Sequence, residues 1–191
     1  MQSAAQHAAP LRAAISLRTG SARDIDVLVE LDSDSSVLFE QAGLWLAFHA
    51  EHEVAVAERN RWLRCLAAGT VLIAVNSAGE DVGFAAVGLR DGEPYLDQLS
   101  VRVTSMRQGI GTQLLYGAIN MAERMGGRAL WLTTYRHLAW NRPYYERHGF
   151  EVVPPAECAP ELGCELQFER RLLPAPEQRV VMRRRFAVDA V

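Results

Sequence analysis

The spacing of apolar residues along this chain changes several times, and each change marks an element. Ile15 and Leu17 alternate with polar neighbours, as in a short strand. Ser21, followed three residues later by Asp24 and then by Ile25, Val27, Leu28 and Leu31, predicts a helix start. Residues 32–68 hold no proline and one glycine, Gly43, with apolar positions at helical spacing, which predicts one or two helices breaking near Gly43. Residues 71–75 and 82–89 are rich in β-branched residues and flank a turn at 76–81, and a second turn at 90–94 leads into 95–103, so three strands are expected in antiparallel meander. Ile110, Leu114, Leu115, Ala118, Met121 and Ala122 mark a long helix over 106–125, stopped by Gly126 and Gly127. The rest reads as a strand at 129–134, a short helix at 141–148 with Asn141 as N-cap, a strand at 150–153, a helix at 159–173 and a last strand at 179–186.

Composition narrows what such a chain does. With 191 residues, 49% of them apolar, 23% charged and a net charge of -3, the chain reads as a single globular domain over 15–191 behind a flexible tail at 1–14. That charge balance points away from nucleic acid. All 20 basic residues are arginines, which excludes a Schiff-base lysine and the lysine of a phosphate-binding P-loop. Cys65, Cys158 and Cys164 form no Cys-x-x-Cys pair, so a disulfide framework and a structural zinc site are not expected, and a reducing, cytoplasmic setting is. The longest apolar runs, 44–48 and 71–75, are too short to span a membrane. His49 and His52 lie at helical spacing beside Glu51 and Glu53 but lack a third ligand, so they read as a solvated face and no metal is expected.

The chemistry gathers in two segments. Residues 99–112 place Gly109-Ile110-Gly111 between a strand and the long helix, where glycines bend the backbone and the free amides of the helix start favour an anion. A dinucleotide-binding loop would need a third glycine where Leu114 stands. The second segment, 139–150, contains Trp140-Asn141-Arg142-Pro143-Tyr144-Tyr145 and ends in Gly149-Phe150, preceded by Thr133-Thr134-Tyr135-Arg136. An apolar strand, Arg107-Gln108-Gly-Ile-Gly, and then Asn with Tyr-x-x-x-Gly-Phe together resemble the GNAT superfamily of acetyl-CoA-dependent N-acetyltransferases, bacterial members above all. The loop departs from the family at Met106, where Gln or Arg is usual.

The resemblance implies an α/β fold: a central, strongly twisted mixed sheet of about seven strands with helices on both faces. It implies that the amides of Arg107, Gln108, Gly109, Ile110, Gly111 and Thr112 cradle the pyrophosphate of acetyl-CoA. Leu99, Val101 and Val103 would pair with the pantetheine arm along the strand, and Asn141 would hydrogen-bond the same arm. Tyr145 matches the family's tyrosine and would be the general acid toward the sulfur; Tyr144 is grouped with the cofactor contacts, the alternative being that Tyr144 is the acid and Tyr145 a core residue. Val101 would lend its amide to the acetyl carbonyl.

The acceptor side carries no motif. Asp97, two residues before Leu99, is the candidate base; relatives often use a Glu where this chain has Tyr95, and Glu93 lies in the preceding turn. Arg136 and Trp140 are expected to shape the acceptor site, Arg136 by pairing with a substrate carboxylate or, equally, in a loop salt bridge. Trp45, Phe48 and Trp62, from the helical region, would wall the same site or belong to the core. Arg183, Arg184 and Arg185 suggest a basic strand edge and leave room for a homodimer. The expected reaction is acetylation of an amine on a small molecule or a peptide in a ternary complex. The competing reading is a non-catalytic acyl-CoA-binding module.

Overall fold

The computed structural model describes residues 15–46 and 48–187, so the tail expected at 1–14 lies outside the described residues. Seven strands form one sheet: β1 (Ser16–Thr19), β2 (Val71–Val75), β3 (Asp81–Arg90), β4 (Glu93–Val101), β5 (Ala129–Tyr135), β6 (Glu151–Val153) and β7 (Arg179–Arg185), in the order β1-β2-β3-β4-β5-β7-β6. All pairings are antiparallel except β4 with β5. Five helices cover it: α1 (Ile25–Gln41), α2 (Glu53–Ala68), α3 (Ile110–Arg124), α4 (Arg142–Glu146) and α5 (Pro160–Leu172).

Strand alternation sends side chains to two faces, and each face recruits its own helices. Leu72, Ala74, Ala85, Leu130, Leu132 and Met182 meet the apolar stripe of α3, built from Ile110, Leu114, Leu115, Ala118 and Ala122, with Tyr144, Tyr145 and Phe150 at the α4 end. On the opposite face Val71, Ile73, Phe84 and Ala86 bury Leu28 and Leu31 of α1 and Trp62 and Leu66 of α2. α5 closes that face farther along, over Tyr95, Val153 and Val181. Helices therefore lie on both faces of an open, mixed sheet.

Boundaries differ from the sequence reading at two places that matter for the site. α1 begins as expected, since Asp24 Oδ2 accepts from the Ser21 amide at 2.7 Å and from its hydroxyl at 2.9 Å. The expected break falls at Gly43, in the left-handed region with φ 79°, and α2 begins after His52. β4 ends at Val101 rather than at 103, and a single turn of tight helix at Val103–Ser105 follows. α3 starts at Ile110, four residues late, because the loop before it holds Arg107 at φ 60° and Gly109 at φ 82°.

Candidate active site

The site begins with a bulge. Ala86 pairs with Gln98 and Val87 with Leu96, so Asp97 is one residue too many for β3 and bends β4. β4 keeps a single residue pair with β5, Tyr95 with Trp131, and past it the two strands part. The Arg102 amide donates to the Val82 carbonyl at 2.8 Å. By antiparallel alternation, Leu99 and Val101 then turn their own amides and carbonyls away from β3, into the gap. Val103 is different and corrects the expectation: it lies beyond the strand, and its amide donates to Asp34 Oδ2 at 2.6 Å.

At the end of that gap lies the glycine loop. The amides of Arg107, Gln108, Gly109, Ile110, Gly111 and Thr112 have no backbone partner among the described residues, whereas Gln113 donates to the Gly109 carbonyl at 3.1 Å. Six successive donors at the positive end of α3 make a cradle for an anion. Met106 packs against the core below, so the position that departs from the family pattern serves the interior here. Gly111 faces α4 at ordinary contact distance: a Cβ there would sit 3.7 Å from the Tyr144 hydroxyl and 3.7 Å from Val101. That hydroxyl is buried and makes no hydrogen bond, an orphan donor beside the cradle. The cradle, the open strand edge and the orphan hydroxyl fit a phosphate-bearing ligand with an amide-rich arm.

A cleft of about 160 Å³ runs from this gap to the α1, α2 and α5 face. Tyr145 and Asn141 line its entrance. Tyr145 packs on Tyr144 at 5.3 Å and Phe150 at 5.5 Å between ring centroids, and burial holds its pKa well above that of a free phenol. Asn141 is buried but does not cap α4 with its side chain, contrary to expectation. Its backbone instead accepts from the Tyr145 amide at 3.0 Å, which leaves its side-chain amide to the cleft.

Charged groups line the deeper wall. Asp97, with its side chain 1% exposed, accepts from Arg90 at 2.8 Å and lies 3.6 Å from Arg61. Burial pushes its pKa up while the two arginines pull it down. It faces the cleft as a paired counter-ion rather than as a free carboxylate, which corrects its expected role. Glu165 completes the group, 3.0 Å from Arg61 and 3.1 Å from Arg90. Beyond it Glu169 and Arg179 pair at 2.7 Å, tied to β5 by Thr133, whose hydroxyl donates to Glu169 at 2.6 Å. Asp32, from α1, accepts from Ser100 at 2.9 Å and from the Gln98 amide. Glu58, from α2, has no hydrogen-bond or ion-pair partner among the described residues; burial and the nearby Asp32 push its pKa to about 8.

Several expected residues lie elsewhere. Arg136 is exposed at the end of β5, outside the cleft, its amide donating to the Gln178 carbonyl at 2.8 Å. Trp140 supports the wall indirectly, edge-on to Phe39, which lines the cleft. Phe48 lines it too, stacked 4.3 Å from His52; Trp62 is core against Phe84, and Trp45 is 71% exposed. His52 caps α2, accepting from the Val54 amide, and His49 pairs with Glu51. Glu93 pairs with Arg128 away from the cleft. Arg183 and Arg185 hold Glu151 of β6. Asp32 and Glu58 were missed by the sequence reading, because both are ordinary polar positions on amphipathic helices until tertiary packing turns them inward.

Comparisons with known proteins agree with this fold. Residues 36–150 match the model of the acetyltransferase (GNAT) family. Among solved structures, the chain is similar to an N-acetylglutamate synthase from Neisseria gonorrhoeae complexed with coenzyme A and N-acetyl-glutamate, with 17% identity and a TM-score of 0.65. That similarity covers 92% of this chain, but this chain spans only 36% of the length of the synthase. A PaiA N-acetyltransferase from Thermoplasma acidophilum in complex with coenzyme A matches at 17% identity and TM-score 0.64, over 91% of this chain and 99% of that one. A ribosomal-protein-alanine N-acetyltransferase from Brucella melitensis matches at 21% identity and TM-score 0.61, over 90% and 99%.

Proposed function

The chain belongs to the GNAT acetyltransferase family and is an acyltransferase, and from that premise we propose that it moves the acetyl group of acetyl-CoA directly to a primary amine, with both reactants held at once. The observation that carries this reading is the convergence of an unpaired strand edge, an anion cradle and Tyr145 on one charged cleft. Acetyl-CoA supplies an acyl carbon already activated as a thioester.

The chain's own residues supply the rest. The amides of Arg107 to Thr112 hold the pyrophosphate, and Leu99, Val101 and Asn141 hold the arm at a fixed depth in the gap. The Val101 amide polarises the acetyl carbonyl. Tyr145 donates a hydrogen bond to the sulfur as it leaves; with so high a pKa it stabilises the thiolate rather than surrendering its proton fully. Tyr144, whose hydroxyl points to the loop, contacts the cofactor instead. Asp97 is committed to Arg61 and Arg90, so Glu58 takes the proton of the incoming ammonium. Its pKa of about 8 against about 10.4 for an alkylamine makes that transfer uphill by ~3 kcal/mol, a modest part of an enzymatic barrier. Among the described residues no cysteine lines the cleft, in keeping with direct transfer.

Calorimetric titration with acetyl-CoA and CoA, followed by thiol release against an amine panel, tests the reading. Binding with amine-dependent release is expected, with kcat/KM rising as pH climbs through about 8 and that limb lost in Glu58→Gln. Failure to bind either form of the cofactor overturns the reading.

A further inference from the structure

The charges around the cleft do not cancel. Asp97 and Glu165 are matched by Arg61 and Arg90, four groups joined at 2.8, 3.0, 3.1 and 3.6 Å. Glu169 and Arg179 form a second closed pair at 2.7 Å. What remains is Asp32, held only by neutral donors, and Glu58, held by none among the described residues. Two carboxylates in one narrow cleft thus lack a cation, and each makes the other harder to ionise. Burial raises the pKa of Asp32, and hydrogen bonds from Ser100 and Gln98 offset only part of that rise.

The arginines lining the cleft, Arg61 and Arg179, are both engaged, and Arg136 stands outside it. A substrate carboxylate would therefore meet two carboxyl groups and no free cation among the described residues, whereas an ammonium would bring the charge that lets them ionise. Phe39, Leu46 and Phe48 add an apolar stretch to the same wall, suited to methylene groups.

Resting on the acetyl-transfer reading above, we propose that the acceptor is a slender aliphatic di- or polyamine, with one nitrogen reacting beside Glu58 and a second ammonium held by Asp32. In the step itself the ammonium first gives one proton to Glu58, the C–N bond then forms as the C–S bond breaks, and the nitrogen's second proton passes to the departing sulfur, which leaves as the free thiol beside Tyr145. An amine with a neighbouring carboxylate is refused.

The test compares kcat/KM for 1,4-diaminobutane, butylamine and ornithine on the full chain with acetyl-CoA. The diamine has two equivalent nitrogens, so only a preference beyond about twofold over butylamine counts. The expected preference is at least ~tenfold over butylamine and ~100-fold over ornithine, which differs from the diamine by its carboxylate. Asp32→Asn should bring the diamine-to-butylamine ratio down toward two, a ratio that lower overall activity does not move. If that variant does not fold, decline of the wild-type ratio with added salt reads the same ion pair. Equal use of diamine and butylamine, or a preference for ornithine or a peptide amine, overturns the proposal and leaves acetyl transfer standing. Absence of acetyl-CoA binding overturns the acetyl-transfer reading, and the proposal with it.

Discussion

Tyr145 and Asp97 were the two catalytic candidates, taken from separate segments of the sequence, and their surroundings in the structure differ. Tyr145 lines the cleft with a hydroxyl that burial keeps protonated. Tyr145→Phe should lower kcat ~10- to 100-fold while leaving the KM for acetyl-CoA within about twofold, which steady-state kinetics will read. Asp97 and Glu165 together balance two half-buried arginines, Arg61 and Arg90. Asp97→Ala should cost ~3–5 kcal/mol of stability in denaturant unfolding, because it strands that positive charge. Glu93→Gln, which removes only the partner of exposed Arg128, should cost no more than ~1 kcal/mol. The glycine loop and the strand edge were legible because they sit in a local motif with fixed spacing. Asp32 and Glu58 were not, since nothing in i, i+3 or i, i+4 spacing tells a carboxylate facing water from one facing a cleft.

Among the elements, the meander β2-β3-β4 and the stripe of α3 followed the sequence closely, as their period and flanking turns are local properties. The end of β4 and the start of α3 did not. Val103 and Met106 look like strand and helix residues, but Asp34 from α1 claims the amide of Val103, and the core claims the side chain of Met106. The bulge at Asp97 was equally hidden, because it is defined by the partner strand. The loop between β4 and α3 turns on two left-handed residues, Arg107 at φ 60° and Gly109 at φ 82°. Gly109→Ala forces a Cβ into the left-handed region at ~1–2 kcal/mol, so calorimetry should show acetyl-CoA affinity falling roughly 5- to 30-fold as the cradle relaxes.

Across the whole molecule, stability should follow pH in a direction set by buried carboxylates. Free Glu58 ionises near 4.5, and the folded one near 8. Folding therefore favours its protonated form, so the stability linked to it is whole below 4.5 and drains away as pH rises through about 8. Asp24 acts oppositely: Arg18 lowers its pKa from 3.8 to about 2, so its contribution is full above 3.8 and is lost as pH falls through about 2. Glu58→Gln, neutral throughout, should raise Tm by ~2–5 °C at pH 9 and have little effect at pH 4, measured by calorimetric scans. The single residue pair joining β4 to β5 has a kinetic consequence at this same scale. Four strands lie on one side of that seam and three on the other, and the edge exposed between them belongs to Leu99 and Val101. An extended ligand arm laid there acts as an inserted strand, splicing two half-sheets into a continuous one and giving the acceptor's chamber its missing partition. Turnover should then be sequential with a fixed order, the nucleotide thioester first in and the bare thiol last out.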